Sequence, residues 1–241
     1  MVTTIDKTCP TCGDIVTVEA PVPGGLGERL SKVYSVLCAS CDAEEKAEEK
    51  RKLEAIEREK AVARQLNSGI PNDLRSVSFD RLEKTESNRK AIEAARRWAG
   101  SNLKGLLIAG PVGTGKTWTA AAACNAMAVY RPVRWFSVSR MLAQARAGFK
   151  HPAREDLTEV MLNANLPLIM DDIDKVKATD FARDILFQVI DERVAAGTPL
   201  LVTTNFNYTE LEAAYGEPIA SRLAGMGEAI RIEGSDRRQQ R

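Results

Sequence analysis

The sequence predicts an α/β fold, a parallel sheet with helices on both faces, preceded by a small cysteine-bearing unit. Three observations carry this. From about residue 72 onward, short apolar runs alternate with stretches of helical periodicity, the pattern of strands joined by crossover helices. One run, Leu106 to Ala109, is continuous and apolar, as a strand covered on both faces requires, and it enters a glycine-rich turn and an alanine-rich helix. Ahead of it, two C-x-x-C pairs lie within residues 1–43. A length of 241 residues suits one large domain or a small plus a medium one, and 44% apolar residues suffice for a full core.

Cys9-Pro-Thr-Cys12 and Cys38-Ala-Ser-Cys41 are separated by 25 residues. Each knuckle presents two thiolates on one tight turn, and two turns complete a tetrahedron around Zn²⁺. Gly13 permits the sharp turn. Between the knuckles, Ile15 to Val18 and Val33 to Leu37 read as short strands joined through Pro21 to Gly25. So small a unit needs metal to supply its folding energy. A redox C-x-x-C would use one pair rather than two. Four thiolates leave no open position, so the expected zinc is structural.

Residues 42 to 60 hold 14 charged residues in 19 positions. Glu48 with Lys52, and Glu54 with Arg58, stand at helical i,i+4 spacing. The segment reads as a solvated connecting helix; a partner-docking helix is the sharper alternative. Ser68-Gly69-Ile70-Pro71 breaks it. The expected organisation is a zinc unit in 1–43, a charged connector in 44–68 and a nucleotide-binding domain in 69–241.

In that domain a helix near 87–100 precedes the strand at Leu106. Further strands are expected at Val133 to Val138, Leu166 to Met170, Leu200 to Thr204 and Ala229 to Ile232, with a helix near 139–148. Asp180 to Ala196 is expected as an amphipathic helix with Phe181, Ile185, Leu186, Val189, Ile190 and Val194 on one face.

The turn after the first strand of this series is Gly110-Pro111-Val112-Gly113-Thr114-Gly115-Lys116-Thr117, which fits G-x-x-x-x-G-K-[ST]. Its glycines let successive backbone N–H groups curl around phosphate oxygens, and the helix that follows, with Trp118 in its first turn, adds its N-terminal dipole. Lys116 would reach the β- and γ-phosphates, and the Thr117 hydroxyl would hold Mg²⁺. The strand before Asp171-Asp172 supplies the other half of such a site. Asp171 would orient water on Mg²⁺, and Asp172 would polarise the attacking water. One strand intervenes in sequence between turn and acids, as in additional-strand ATPases. Asn205, at the end of the next strand, could reach the γ-phosphate or the lytic water.

The stretches SGIPNDLRSVSFD (68–80), GPVGTGKT (110–117), LIMDDID (168–174), ILFQVIDERV (185–194), LLVTTNF (200–206) and GEPIASRL (216–223) resemble, in order, the DnaC/IstB branch of the AAA+ ATPases. That branch contains bacterial and phage helicase loaders and transposition helper ATPases. The resemblance implies that Asn205 is the sensor residue, and that Arg222 is an arginine finger reaching a neighbouring subunit's ATP; Arg193 is the weaker finger candidate. Asp172 departs from the Glu that many AAA+ proteins carry. Only 18 residues follow Leu223, too few for the family's helical lid, so a lidless core is expected.

The segment 131–154 holds Arg131, Arg134, Arg140, Arg146, Lys150 and Arg154 with no acid before Arg154, and Trp135, Phe136 and Phe149 lie among them. Such a stretch could bind single-stranded DNA through phosphate neutralisation and base stacking. Alternatively, Trp135 and Phe136 are split between the two faces of a buried strand. Cys124 reads as a small core residue, and His151 has no evident chemical role.

A net charge of +1 gives no global pull toward nucleic acid or membrane. No apolar run is long enough to span a bilayer, and no signal peptide is visible, so a cytoplasmic protein is expected; the resemblance implies a bacterial or phage-infected cell. The expected function is ATP-dependent loading of a hexameric replicative DNA helicase onto single-stranded DNA, with ATP-dependent self-association and no membrane partner. The alternatives are an IstB-like transposition helper acting with a transposase, and a non-catalytic adaptor that binds ATP as a structural ligand.

Overall fold

The computed structural model describes residues 2–21, 36–100, 102–150, 166–234 and 236. The chain forms two compact units, Met1–Glu59 and Lys60–Arg241.

In the first unit, β1 (Val2–Thr8) and β2 (Ile15–Pro21) form an antiparallel hairpin in which Thr8 pairs with Ile15. The first knuckle is the tip of this hairpin. Cys9 N donates to Asp14 O at 2.7 Å, and Gly13 N donates to Cys9 O at 3.0 Å. Gly13 has φ +83°, the left-handed region where a side chain is disfavoured. The expected strand Ile15 to Val18 is the inner part of β2. β1 was not expected: Val2 and Ile5 are out of phase with a period of two, and β-branched content with a hairpin partner makes the strand instead. Residues 22–25 and 33–35 of the other expected features lie outside the described residues; Leu37 is in irregular chain. Helix α1 (Ala39–Asn67) then carries the charged segment, with Lys52 Nζ 2.7 Å from Glu48 Oε1. It stops where Gly69 takes φ +85°.

The second unit is built on a five-stranded, all-parallel sheet of order β4-β5-β6-β3-β7. Its strands are β3 (Gly105–Ala109), β4 (Arg134–Ser137), β5 (Leu168–Asp171), β6 (Leu200–Thr204) and β7 (Glu228–Arg231). The helices are α2 (Glu86–Ala99), α3 (Lys116–Ala128), α4 (Val138–Lys150), α5 (Asp180–Ala196), α6 (Tyr208–Tyr215) and α7 (Glu217–Gly225). Strand β6 sits between β3 and β5 although it follows both in sequence.

Successive strand residues go to opposite faces, as the pleat requires. Leu106, Ile108, Trp135, Ile169 and Leu201 pack with Trp98 of α2 and Cys124 and Met127 of α3. Leu107, Leu168, Met170, Leu200 and Val202 pack with Ile185, Leu186, Val189 and Ile190 of α5 and Leu223 of α7. Cys124 is a buried core thiol, its pKa pushed up to about 12 by burial. Truncating a residue such as Leu201 would cost about 2–5 kcal/mol, from lost transfer energy and the cavity left behind.

Helix α5 starts at Thr179, whose hydroxyl accepts from Ala182 N, and ends at Gly197. Its buried face differs from the expected one by a small rotation. Val194 is exposed, and Arg193 continues the series Ala182, Ile185, Leu186, Val189, Ile190 into the core. The long Arg193 side chain can do this because its guanidinium finds the carbonyl of Leu166. Helix α6 was not expected, yet it has a sequence signal in Asn207 and Glu210, which bond reciprocally as a capping box. None of the described helices is long and apolar enough to cross a membrane.

Candidate functional site

The turn joining β3 to α3 wraps around Lys116. Gly115, the residue before α3, has φ +93°, which frees the first N–H groups of the helix to point into the turn. Lys116 is buried, and its Nζ donates to Gly110 O at 2.8 Å, Pro111 O at 2.8 Å and Asn205 Oδ1 at 2.7 Å. Burial lowers its pKa, opposed by the charges of Asp172, Asp174 and Asp171. Thr114 Oγ1 donates to Pro111 O at 2.9 Å. Val112 and Trp118 are exposed beside the turn.

Parallel pairing of β5 with β6 sets Met170 beside Val202, which brings the next residues, Asp171 and Thr203, together. Asp171 Oδ1 accepts from Thr203 Oγ1 at 2.7 Å and from Thr117 Oγ1 at 3.1 Å. Burial pushes its pKa up to about 6, aided by the Asp172 charge and opposed by the two hydroxyls. Asp172 takes φ +56°, the only positive φ outside glycine among the described residues. Its backbone N donates to Thr203 Oγ1 at 2.9 Å, and its carboxylate is ion-paired with Lys175. Asn205 N donates to Asp174 Oδ1 at 2.7 Å, and Asn205 Nδ2 donates to Asp174 Oδ2 at 2.5 Å.

The expected residues of three separate stretches therefore converge at the C-terminal ends of β3, β6 and β5. Three others there were not singled out from sequence: Thr203, Asp174 and Lys175. Two of them stood in the quoted stretches LLVTTNF and LIMDDID, where nothing in the spacing distinguishes them. A fourth is Asp236. A Cβ at Gly113 would fall 1.8 Å from Asp236 Oδ1, so this carboxylate lies against the phosphate-type turn. The tail 237–241 lies outside the described residues.

The two finger candidates differ sharply. Arg193 is wholly buried, donates to Leu166 O at 2.6 Å and has its pKa lowered to about 10 by burial. A guanidinium packed this way cannot reach another chain. Arg222, on α7, is partly exposed and ion-paired with Asp191. Its guanidinium carbon lies 4.6 Å from the centre of the Phe187 ring, and Nη1 donates to Pro218 O at 3.3 Å.

In the basic segment, Trp135 is buried in one core layer and Phe136 packs on the other, so neither is a stacking platform. Arg134 donates to Asn67 O, anchoring the chain after α1. Arg140 and Arg146 are exposed on α4; Arg146 also lies over the Phe181 ring at 5.2 Å. His151 and Arg154, and the side chains of Phe149 and Lys150, lie outside the described residues.

In the first unit, the Sγ atoms of Cys9, Cys12, Cys38 and Cys41 all lie within 4.8 Å of one another, and those of Cys12 and Cys38 are 3.4 Å apart. Zn–S bonds of about 2.3 Å in a tetrahedron require sulfurs about 3.8 Å apart, so the donor set fits that ion. The Cys9 thiol is held down to about 6 by the backbone N–H groups of Cys12 and then Cys38. Cys41, crowded by the Cys38 and Cys12 side chains, is pushed up.

A family model described as IstB-like ATP binding protein matches residues 40–241. The chain is 26% identical over 163 residues to the replicative helicase loader DnaC of Escherichia coli K12, covering 65% of this chain and 66% of that protein's length. It is 30% identical over 161 residues to an insertion-sequence ATP-binding protein of Mycobacterium tuberculosis, covering 61% of this chain and 63% of the relative. The crystal structure of the DnaC helicase loader superposes with a TM-score of 0.61 at 21% identity, over 67% of this chain and 99% of that one. The second unit thus shares the fold of that structure, an α/β fold with a parallel five-stranded sheet.

Proposed function

Because the chain belongs to the IstB-like ATP-binding protein family, we propose that it hydrolyses ATP and uses the cycle to load a hexameric replicative helicase onto single-stranded DNA. One observation carries the catalytic half of this reading: Lys116, Thr117, Asp171, Asp172 and Asn205 meet at the C-terminal edge of the sheet, Lys116 bonded to Asn205, and Thr117, Asp171 and Asp172 tied together by their own bonds and by Thr203. In this reading the backbone of Gly110 to Gly115 cradles the phosphates, with Trp118 beside them. Lys116 exchanges its carbonyl partners for phosphate oxygens. Asp172 orients the attacking water, and Asn205 senses the γ-phosphate.

Thr117 Oγ1 and Asp171 Oδ1, 3.1 Å apart, match the roughly 3 Å between adjacent corners of a Mg²⁺ octahedron with 2.1 Å bonds. They would hold Mg²⁺ with its waters, and the ion would neutralise charge between the β- and γ-phosphates. The four cysteines would hold a structural Zn²⁺ in residues 1–43, followed by the connector 44–68 and the ATPase domain 69–241. The zinc unit would grip the helicase, and Arg222 would serve a neighbouring protomer in an ATP-dependent oligomer working in the cytoplasm. Arg140 and Arg146 would neutralise DNA phosphates, without aromatic help from Trp135 or Phe136.

The Mycobacterium tuberculosis relative supports a second reading, a helper ATPase acting with a transposase on DNA. Affinity capture with the purified full chain and ATP separates the two. Retention of a hexameric helicase, with hydrolysis stimulated by single-stranded DNA, is the expected result. Retention of a transposase with preference for duplex DNA would replace it. Failure to turn over ATP under either condition would leave a nucleotide-binding adaptor.

A further inference from the structure

Asn205 is held from one side by a single carboxylate. Asp174 accepts both donors that Asn205 offers there, the backbone N–H at 2.7 Å and the side-chain Nδ2 at 2.5 Å. On the other side Asn205 Oδ1 accepts from Lys116 Nζ at 2.7 Å. The two ends of an amide have nearly the same shape and are told apart only by what they bond. A carboxylate accepts only and an ammonium donates only. A flipped Asn205 would set its oxygen against the Asp174 carboxylate and its NH₂ against Lys116, so both contacts would become repulsive.

We propose that Asp174 is a positioning residue for ATP hydrolysis, fixing Asn205 with its carbonyl oxygen toward Lys116 and the phosphate-type turn. The inference rests on the proposed ATPase reading. Asp174 sits in the short 3-10 turn Ile173–Lys175 that directly follows Asp172. It therefore links the acid pair of β5 to the lysine of α3 through one residue at the end of β6. The Asp174 charge also acts on Lys116 from a distance, but its hydrogen bonds go to Asn205, and its positioning effect passes through the orientation of that side chain. That orientation leaves an oxygen to accept from Lys116 or from water, and one amide hydrogen still to donate.

The substitution Asp174→Asn keeps the size but puts an NH₂ against one of the two Asn205 donors, which releases the amide to flip. In the full-length chain it should lower kcat at least about tenfold while ATP affinity stays within about threefold. Loosening of the loop could also slow turnover by disturbing Asp172, and a double-mutant cycle separates the two. If Asp174 acts through Asn205, Asp174→Asn combined with Asn205→Ala is no slower than Asn205→Ala alone. Multiplying effects, or an Asp174→Asn chain that turns over at the wild-type rate beside a slowed Asn205→Ala, would overturn the inference and leave the ATPase reading standing. A readout independent of turnover covers the reverse case. The side-chain amide protons of Asn205, followed by NMR, should exchange with solvent about tenfold faster in Asp174→Asn than in wild type. Faster exchange in a chain that hydrolyses no ATP would sink the ATPase reading while supporting the hold on Asn205; unchanged exchange would overturn the hold itself.

Discussion

Lys116 Nζ and Asn205 Oδ1 lie 2.7 Å apart although 89 positions separate them in the chain. The contact exists because β6 is laid down directly beside β3, with Ala109 opposite Thr204. Asn205, which follows β6, then lies at the same edge as the turn that follows β3 and leads to Lys116.

Lys116 contributes the one buried cation of that edge among the described residues near the turn. Lys116→Ala should reduce ATP affinity at least about a hundredfold, read by isothermal calorimetry. Asp172→Asn should bind ATP within a few-fold of wild type and hydrolyse it at least about a hundredfold more slowly. An Asp172→Asn chain at full rate would remove Asp172 from the chemistry.

Asp171 gives the free protein a pH dependence with a definite sign. Its pKa, raised from 3.8 to about 6 by burial, means that the folded state binds a proton more tightly than the unfolded chain. The cost of burying this carboxylate is absent below about pH 4 and is felt in full above about pH 6, on the order of 3 kcal/mol. Relative to wild type, Asp171→Asn should therefore gain Tm as pH rises from about 4.5 to 7 in the absence of nucleotide and Mg²⁺. Thermal melts of both chains across that range check it, and a constant difference would contradict the buried, raised carboxylate.

For the cysteine cluster, we expect one Zn²⁺ per chain by elemental analysis and sulfur-only coordination by X-ray absorption. A chelator should unfold residues 1–43 while the second unit keeps its helical signal. Cys12→Ser, at the one exposed member, should weaken zinc retention at least about tenfold. Metal-free protein with a fully protected hairpin would refute the assignment.

Asp236 places a carboxylate against Gly113 of the turn, where its charge would oppose an incoming phosphate. Asp236→Asn should tighten ATP binding by about three- to tenfold, more at low salt than at high salt. Weaker binding would instead make Asp236 a contributor to the nucleotide pocket.

Arg222 should leave ATP binding nearly unchanged when replaced by alanine, yet lose hydrolysis and ATP-dependent assembly on DNA; finger arginines in GTPases contribute about 10³–10⁵ in rate. Mixing Arg222→Ala with Lys116→Ala lets the second donate its arginine to the intact turn of the first. Partial recovery of hydrolysis is expected, and none at any ratio, with co-assembly shown separately, would exclude action between chains. The pair with Asp191 adds a second expectation: Asp191→Asn should change assembly without changing ATP affinity of the isolated chain.

The sequence by itself determined the series of parallel strands, the turn Gly110 to Thr117 and the two cysteine pairs. These are local signals: an apolar run, glycines at fixed offsets, and thiols two residues apart carry their chemistry wherever the chain places them. The tertiary structure alone decided which side chains meet. Thr203 and Asp174 have no periodicity or spacing that marks them, and they matter only because β6 enters the sheet between β3 and β5. Arg193 and Arg222 read alike as arginines on helices, but packing buries one against Leu166 O and leaves the other partly exposed beside Asp191. Trp135 lies in a basic segment that could have exposed it, and the pleat of β4 turned it into the core. Burial and partner choice are properties of the assembled layers, because they depend on residues distant in the chain, and no local pattern encodes them.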